Sequence, residues 1–422
     1  MLETVIIIYS IYTLIRLYIS FMQIGYINFE KRQSAVLMSA TKYMIAGNYA
    51  VAKEKVSIIE TFVDYLVFLW WVIAGFAWIT TWAGLENQIF QSVAFLFGFF
   101  AVNFVIGLPF DLYRTFKIDE DFKFNKMTPK MYIIDTIKST LIFIILGGLL
   151  FAGLAWIITN YDSWWLWGFT LMFSVAVLAN VIYPTIIAPL FNKFNPIEEG
   201  ELKEAITKLM QSVGLKSDGI FVMDASTKDS RLNAYFGGLG KSKRVVLYDT
   251  LIEKLNKNEL LAVLGHELGH FKHGDIWKNI ALMGLLLLIS FYTFGHLPDS
   301  LFTEMGIIPT AGAKIAVLML LMPIIGFLFN PFMSFVSQKN EYGADEFGAN
   351  MAGKEHLVTA LLKLVTENKS FPKSHPLVIF FYHTHPPVLE RLKELGYDAD
   401  AVIEQTSLDK DGIFTFMKDD EK

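Results

Sequence analysis

The chain has 422 residues, 54% of them hydrophobic and only 18% charged; a soluble domain carries roughly 25% charged residues, so this one reads as a polytopic membrane protein with a soluble portion. A net charge of −5 leaves no footprint for nucleic acid. There is no cysteine, which excludes disulfides, thiolate metal ligands and cysteine nucleophiles; any metal must be held by histidine and carboxylates.

Seven stretches are long and apolar enough to cross a bilayer, which takes about 20 residues each: residues 2–22, 61–83, 89–110, 141–159, 164–191, 276–294 and 315–336. The first is too long for a signal peptide and lacks both a basic start and a small-residue cleavage site, so it is expected to stay as a span. The loops alternate. Lys31, Arg32, Lys42, Lys53 and Lys55 precede the second span, whereas residues 84–88 hold no basic residue. Arg114 to Lys138 supplies six more, Tyr161-Asp162-Ser163 none, 192–275 is rich in lysine, 297–313 has none, and the C-terminal region is basic again. By the positive-inside rule the N-terminus lies outside, and the C-terminus and both soluble blocks face the cytoplasm. The expected division is 1–192 (five spans), 193–275 (first soluble block), 276–336 (two spans) and 337–422 (second soluble block with an acidic tail from Asp409).

Within the spans Arg16, Asp64, Asn103 and Asn180 are the polar residues that stand out. After the fifth span, Asn195-Pro196-Ile197-Glu198-Glu199-Gly200 reads as a turn. A helix over 201–213 follows from the spacing of Leu202, Ala205, Ile206, Leu209 and Met210. Residues 219–224 read as a strand, and 233–236 with 243–248 as a hairpin across Gly237-Gly-Leu-Gly240.

Next comes Leu261-Ala-Val-Leu-Gly-His-Glu-Leu-Gly-His270. On a helix, His266 and His270 lie at i and i+4 on one face and can offer two imidazole nitrogens to one metal ion. Glu267 sits one position round, placed to act as base on a water beside that ion. Asn256 with Glu259 forms a capping pair that starts the helix. Gly265 and Gly269 each cost about 1 kcal/mol against alanine in a helix, which implies that something packs closely on them. A catalytic metal needs a third protein ligand. Glu341 is the candidate, in a helix expected just after the seventh span; because two spans separate it from His270, both lie on the same side of the membrane. His273 is the rival, though it points further round its helix, and the position where a third histidine ten residues after His266 would fall is Ile276. Asp345, one turn after Glu341, is expected to accept a hydrogen bond from the far nitrogen of His266 or His270.

His266-Glu-Leu-Gly-His270, Glu341-x-x-x-Asp345, Asn233-Ala-Tyr-Phe236 and Thr384-His385-Pro-Pro-Val-Leu-Glu-Arg391 together resemble the CaaX prenyl protease 1 family of integral membrane zinc metalloproteases. Gly107-Leu-Pro-Phe-Asp-Leu-Tyr113 and Ala188-Pro-Leu-Phe-Asn-Lys-Phe194 extend the resemblance over most of the chain. It implies a mainly α fold: seven transmembrane helices enclosing a chamber, closed by a gluzincin-like zinc protease domain containing a small β-hairpin or sheet. It also implies Zn²⁺ on His266, His270 and Glu341, Glu267 as base, and Asn233, His385 and Arg391 lining the site. Thr384, where the family often has serine, and Phe236-Gly-Gly238 depart from the pattern and bear on fine substrate preference. The implied activity is endoproteolysis near the C-terminus of CaaX-type peptides, prenylated or not, releasing the last three residues. The alternative is a quality-control protease acting on unprenylated membrane proteins. The expected partners are a peptide or protein substrate and the lipid bilayer, in a bacterial inner membrane or the endoplasmic reticulum membrane.

Overall fold

The computed structural model describes residues 1–81, 87–215, 219–238 and 243–397, with the backbone of 407–408 and 414–415. The expected end of the second span at 82–83, most of the loop after it, the middle of the hairpin turn at 239–240 and nearly all of the acidic tail lie outside the described residues.

Among the described residues, seven helices are long and apolar enough to cross a membrane: Leu2–Glu30, Ala40–Thr80, Gln88–Asp119, Pro129–Asn160, Trp164–Phe191, Asp275–Gly295 and Ala311–Ala352. All seven expected spans fall on them, and most of the helices run well past the apolar stretch. Local chemistry sets several starts. The side chains of Ser39, Asn87, Thr128 and Thr310 each accept a backbone N–H of the first turn, and Pro129 takes the first helical position, where its missing N–H costs nothing. The second to fifth spans each contain one π-helical segment, at Trp71–Gly75, Arg114–Asp119, Phe143–Gly147 and Tyr183–Ile187. Each widens the helix by one residue per turn and re-aims the side chains beyond it. Large apolar side chains on the outer faces are open, among them Leu14, Leu149, Leu328 and Phe335. This is the surface that lipid covers in a bundle whose backbone polar groups are satisfied internally. Trp71, Phe68, Phe76 and Leu96 are fully buried between the first, second, third and seventh spans.

Outside the spans, shorter helices surround a four-stranded sheet ordered β1-β2-β4-β3, from β1 (Phe194–Pro196), β2 (Ile220–Met223), β3 (Ala234–Gly237) and β4 (Arg244–Tyr248). The expected hairpin is present, with β3 antiparallel to β4 and Tyr235 opposite Val246. Two features differ from the expectation. β2 and β4 run parallel, so the sheet is mixed. Residues 194–196, read partly as a turn because of Pro196, form β1, antiparallel to β2 with Asn195 opposite Val222. Proline is tolerated there because β1 is an edge strand. β3 is the other edge, and among the described residues no strand pairs with its outer side.

Val245 and Leu247 of β4 pack in one apolar cluster with Leu260, Leu264 and Leu268 of the helix Lys257–Lys272. That helix opens with the expected capping box between Asn256 and Glu259. It is flanked on the other side by the far end of the seventh span's helix, which continues unbroken from Ala311 to Ala352 rather than ending and restarting before Glu341. Gly265, Gly269 and Gly348 bring the two helices into backbone contact. A Cβ on Gly269 would stand 2.8 Å from the Ala344 Cα, and one on Gly348 would stand 2.7 Å from the His266 backbone nitrogen.

Candidate metal centre

That close approach sets the site. His266 and His270 lie on Lys257–Lys272, Glu341 lies on the facing helix, and one ligand atom from each falls within 4.8 Å of the others. Glu341 Oε1 is 3.2 Å from His270 Nε2, and Oε2 is 3.6 Å from His266 Nε2. His273 caps the helix at its far end and is not in this group.

The other imidazole nitrogens are occupied. His266 Nδ1–H donates to Asp345 Oδ1 at 2.8 Å, and His270 Nδ1–H donates to Asp275 Oδ2 at 2.9 Å. Each carboxylate fixes its ring in the tautomer that turns a bare Nε2 toward Glu341. Both are pinned in turn. Arg391 Nε donates to Asp345 Oδ2 at 2.7 Å and Nη2 to Oδ1 at 2.6 Å, while Lys278 Nζ donates to Asp275 Oδ1 at 2.6 Å. Burial disfavours a charge on His270, but its hydrogen bonds to Glu341 and Asp275 raise its pKa to about 9, so with no ion present Nε2 carries a proton that a bound cation would displace.

Two imidazole nitrogens and a carboxylate therefore converge, and Glu341 Oε2 is buried with no hydrogen-bond donor. A cation is what such a donor set fits. Three protein ligands leave a further position open, as catalytic metal sites do and structural ones do not. Glu267 lies beside the cluster, and burial pushes its carboxyl above the usual range.

The other expected residues divide. His385 is open to solvent and places Nδ1 2.8 Å from Glu341 Oε1. Its segment is held on the seventh span's helix, where Gln338 Nε2 donates to the carbonyls of Ile379 and His383. Asn233 precedes β3 and, with Glu267 and His385, lines a cavity of about 350 Å³. Arg391 borders the same cavity, but its guanidinium is buried and engaged by Asp345. Asp275 is the residue that sequence reasoning missed. Two histidines placed to share one metal call for two carboxylates behind them, and Asp275, five residues after His270, falls in the sequence division only as the last residue of the soluble block before the sixth span.

Seven membrane helices carrying a His-Glu-x-x-His helix closed by a glutamate from the seventh define a multi-pass membrane metalloprotease. Residues 196–399 match the model of peptidase family M48, and 32–193 match that of the CAAX prenyl protease N-terminal region, described as five membrane helices. Curated relatives named CAAX prenyl protease 1 or its homolog include those of rice, 36% identical over 86% of this chain and 89% of theirs, and of yeast, 36% identical over 74% of each. The human homolog is 31% identical over 87% and 86%. The crystal structure of Ste24p from S. mikatae superposes with a TM-score of 0.83 at 30% identity, covering 93% of this chain and 97% of that one. The chain belongs to the CAAX prenyl protease 1 family.

Proposed function

We propose that the chain is a zinc endopeptidase that cleaves prenylated CaaX-type peptides on the cytoplasmic side of its membrane and releases the last three residues. The observation that carries the reading is the convergence of His266, His270 and Glu341 beside Glu267, the histidines on a helix that ends just before the sixth span and the glutamate on the seventh span's own helix. The relatives' names supply the substrate class.

His266, His270 and Glu341 hold the ion through nitrogen and oxygen donors, a set that suits zinc in a chain without thiolates. Zinc bound there supplies a Lewis acid and an acidified water. Glu267 takes the proton of the attacking water and passes it to the leaving amine nitrogen. With Nδ1 turned to Glu341, His385 has Nε2 left to donate to the tetrahedral oxyanion. The free edge of β3 pairs with the substrate backbone, with Asn233 at its head. Asp345, clamped by Arg391, and Asp275 hold the two histidines in register.

The reading is tested by mass spectrometry of the products from a farnesylated CaaX peptide and its unmodified twin, incubated with the purified protein. Loss of the last three residues from the farnesylated peptide is the expected outcome. Cleavage elsewhere, or equal turnover of the bare peptide, favours a general membrane-surface protease that acts on unprenylated chains.

A further inference from the structure

Two cavities meet at Glu267, one at each end of β3, and they differ in chemistry. At the C-terminal end, Phe236, Phe271, Ile276 and Trp277 line an apolar cavity of about 270 Å³ that abuts the head of the sixth span and reaches Glu267 and His270. At the N-terminal end lies the cavity with Asn233 and His385, and it shares Asn368 and Ser370 with a third cavity of about 530 Å³. The walls of that third cavity, between the first two spans and the segment before His385, carry Arg16, Lys53 and Lys369 against a single carboxylate, Glu54, which is hydrogen-bonded to Ser20.

The two lysines are free to receive an anion. Lys53 Nζ stands 4.4 Å from the Tyr49 ring centroid and Lys369 Nζ 3.9 Å from that of Phe124. Among the described residues neither forms an ion pair. Burial lowers Lys369 from its usual range despite the opposing pull of Glu367. Lys369 is also one of three non-glycine residues with positive φ among the described residues, at 46°, a conformation kept only where its surroundings impose it. Those surroundings include Asn368, whose Oδ1 accepts from the Leu232 N–H at 2.8 Å and whose Nδ2 donates to the Leu232 carbonyl at 3.0 Å. Leu232 directly precedes Asn233, so the cationic cavity is held in fixed relation to the head of β3.

We propose that the cavity walled by Arg16, Lys53 and Lys369 binds the free C-terminal carboxylate of the peptide being cleaved. The proposal rests on the CaaX reading above and adds the feature that would make cleavage count from the C-terminus. A peptide on the edge of β3 has its lipid-bearing side at the apolar cavity near Trp277 and its C-terminus beyond Asn233. Three extended residues reach roughly 10 Å past the scissile carbonyl. That carries the carboxylate out of the cavity at His385 and toward the lysines through the Asn368–Ser370 boundary. A carboxylate paired with desolvated ammonium groups forms charge-assisted hydrogen bonds that an amide cannot replace.

The test is binding of a fluorescent farnesylated peptide ending in Cys-Val-Ile-Met, as free acid and as C-terminal amide, to the full-length zinc-loaded Glu267→Gln protein in nanodiscs. The acid should bind at least about ten-fold more tightly, as expected for hydrogen bonds to charged groups. The combined Lys53→Gln and Lys369→Gln changes should remove that difference and leave amide binding as it was. Lys55→Gln, on the same helix but facing a different cavity, should leave the difference intact. Equal binding of acid and amide, or a preference that survives loss of both lysines, overturns the proposal. A preference that disappears with the lysines, in a protein whose wild-type form does not cleave the peptide, upholds the carboxylate site and sinks the protease assignment instead.

Discussion

The two histidines face the same glutamate but are braced differently, and that difference can be measured. His266 leans on Asp345, whose partner Arg391 is buried with it. His270 leans on Asp275, whose partner Lys278 keeps half its side chain in solvent. Replacing either aspartate by asparagine should weaken metal binding roughly 10–100-fold, as losses behind a ligand do. Only Asp345→Asn also strands a buried guanidinium, a fault that costs about 3–5 kcal/mol when a buried pair is broken. It should therefore unfold at clearly lower temperature than Asp275→Asn; equal melting temperatures would show that Arg391 is not dependent on Asp345. Glu341→Ala removes the third proposed ligand outright and should lose more zinc than either under dialysis against a chelator. Glu267→Gln should keep stoichiometric zinc and lose peptidase activity by at least about 100-fold, since only the base is removed. Zinc lost together with activity would contradict that role.

At the scale of elements, the contact between the histidine helix and the end of the seventh span rests on missing side chains. Alanine at Gly269 would gain about 1 kcal/mol of helix propensity. Its Cβ, however, would sit 2.8 Å from the backbone of Ala344, which no rotamer change can relieve. Overpacking of this kind costs roughly 1–3 kcal/mol and here pushes Glu341 away from His270. Gly269→Ala should accordingly bind zinc more weakly, whereas Gly25→Ala, with nothing within 4 Å, should leave zinc binding unchanged. Calorimetric zinc titrations of the two variants decide it. Both glycines on the histidine helix could be read from the sequence, because a glycine inside a capped helix demands a neighbour. β1 could not, because Pro196 reads as a breaker and edge pairing is a property of the assembled sheet. Nor could the unbroken seventh helix. Gln338-Lys339-Asn340 interrupts the apolar pattern, and the helix continues there because Ala344 and Gly348 pack against the histidine helix. Asp275 was hidden for a related reason: its partner is the His270 ring, and only folding brings the two together.

For the whole molecule, the alternation of basic loops makes a topological prediction. In a chain without native cysteine, Ser300→Cys and Glu199→Cys should label from opposite faces of sealed vesicles, the latter from the cytoplasmic side. Labelling of both from one face would break the arrangement that puts both halves of the site in one compartment. Lipid on the substrate should act mainly through KM. Each buried methylene is worth about 0.8 kcal/mol, and the chain is held alike in the ground and transition states. Identical KM values for farnesylated and bare peptides would mean that no part of the protein holds the lipid.

The seventh span's helix has one further consequence. Glu341 follows the end of the expected apolar stretch at residue 336 by five residues, roughly 8 Å of helix at 1.5 Å per residue. The helix that anchors the protein in lipid is thus also a ruler that fixes how far above the hydrocarbon edge hydrolysis takes place. A soluble catalytic fragment cut free of its spans would lose Glu341's support and that fixed height together. On the proposed reading, a substrate is then selected by altitude: a peptide whose scissile bond is tethered too far from its lipid passes over the site, whatever its sequence.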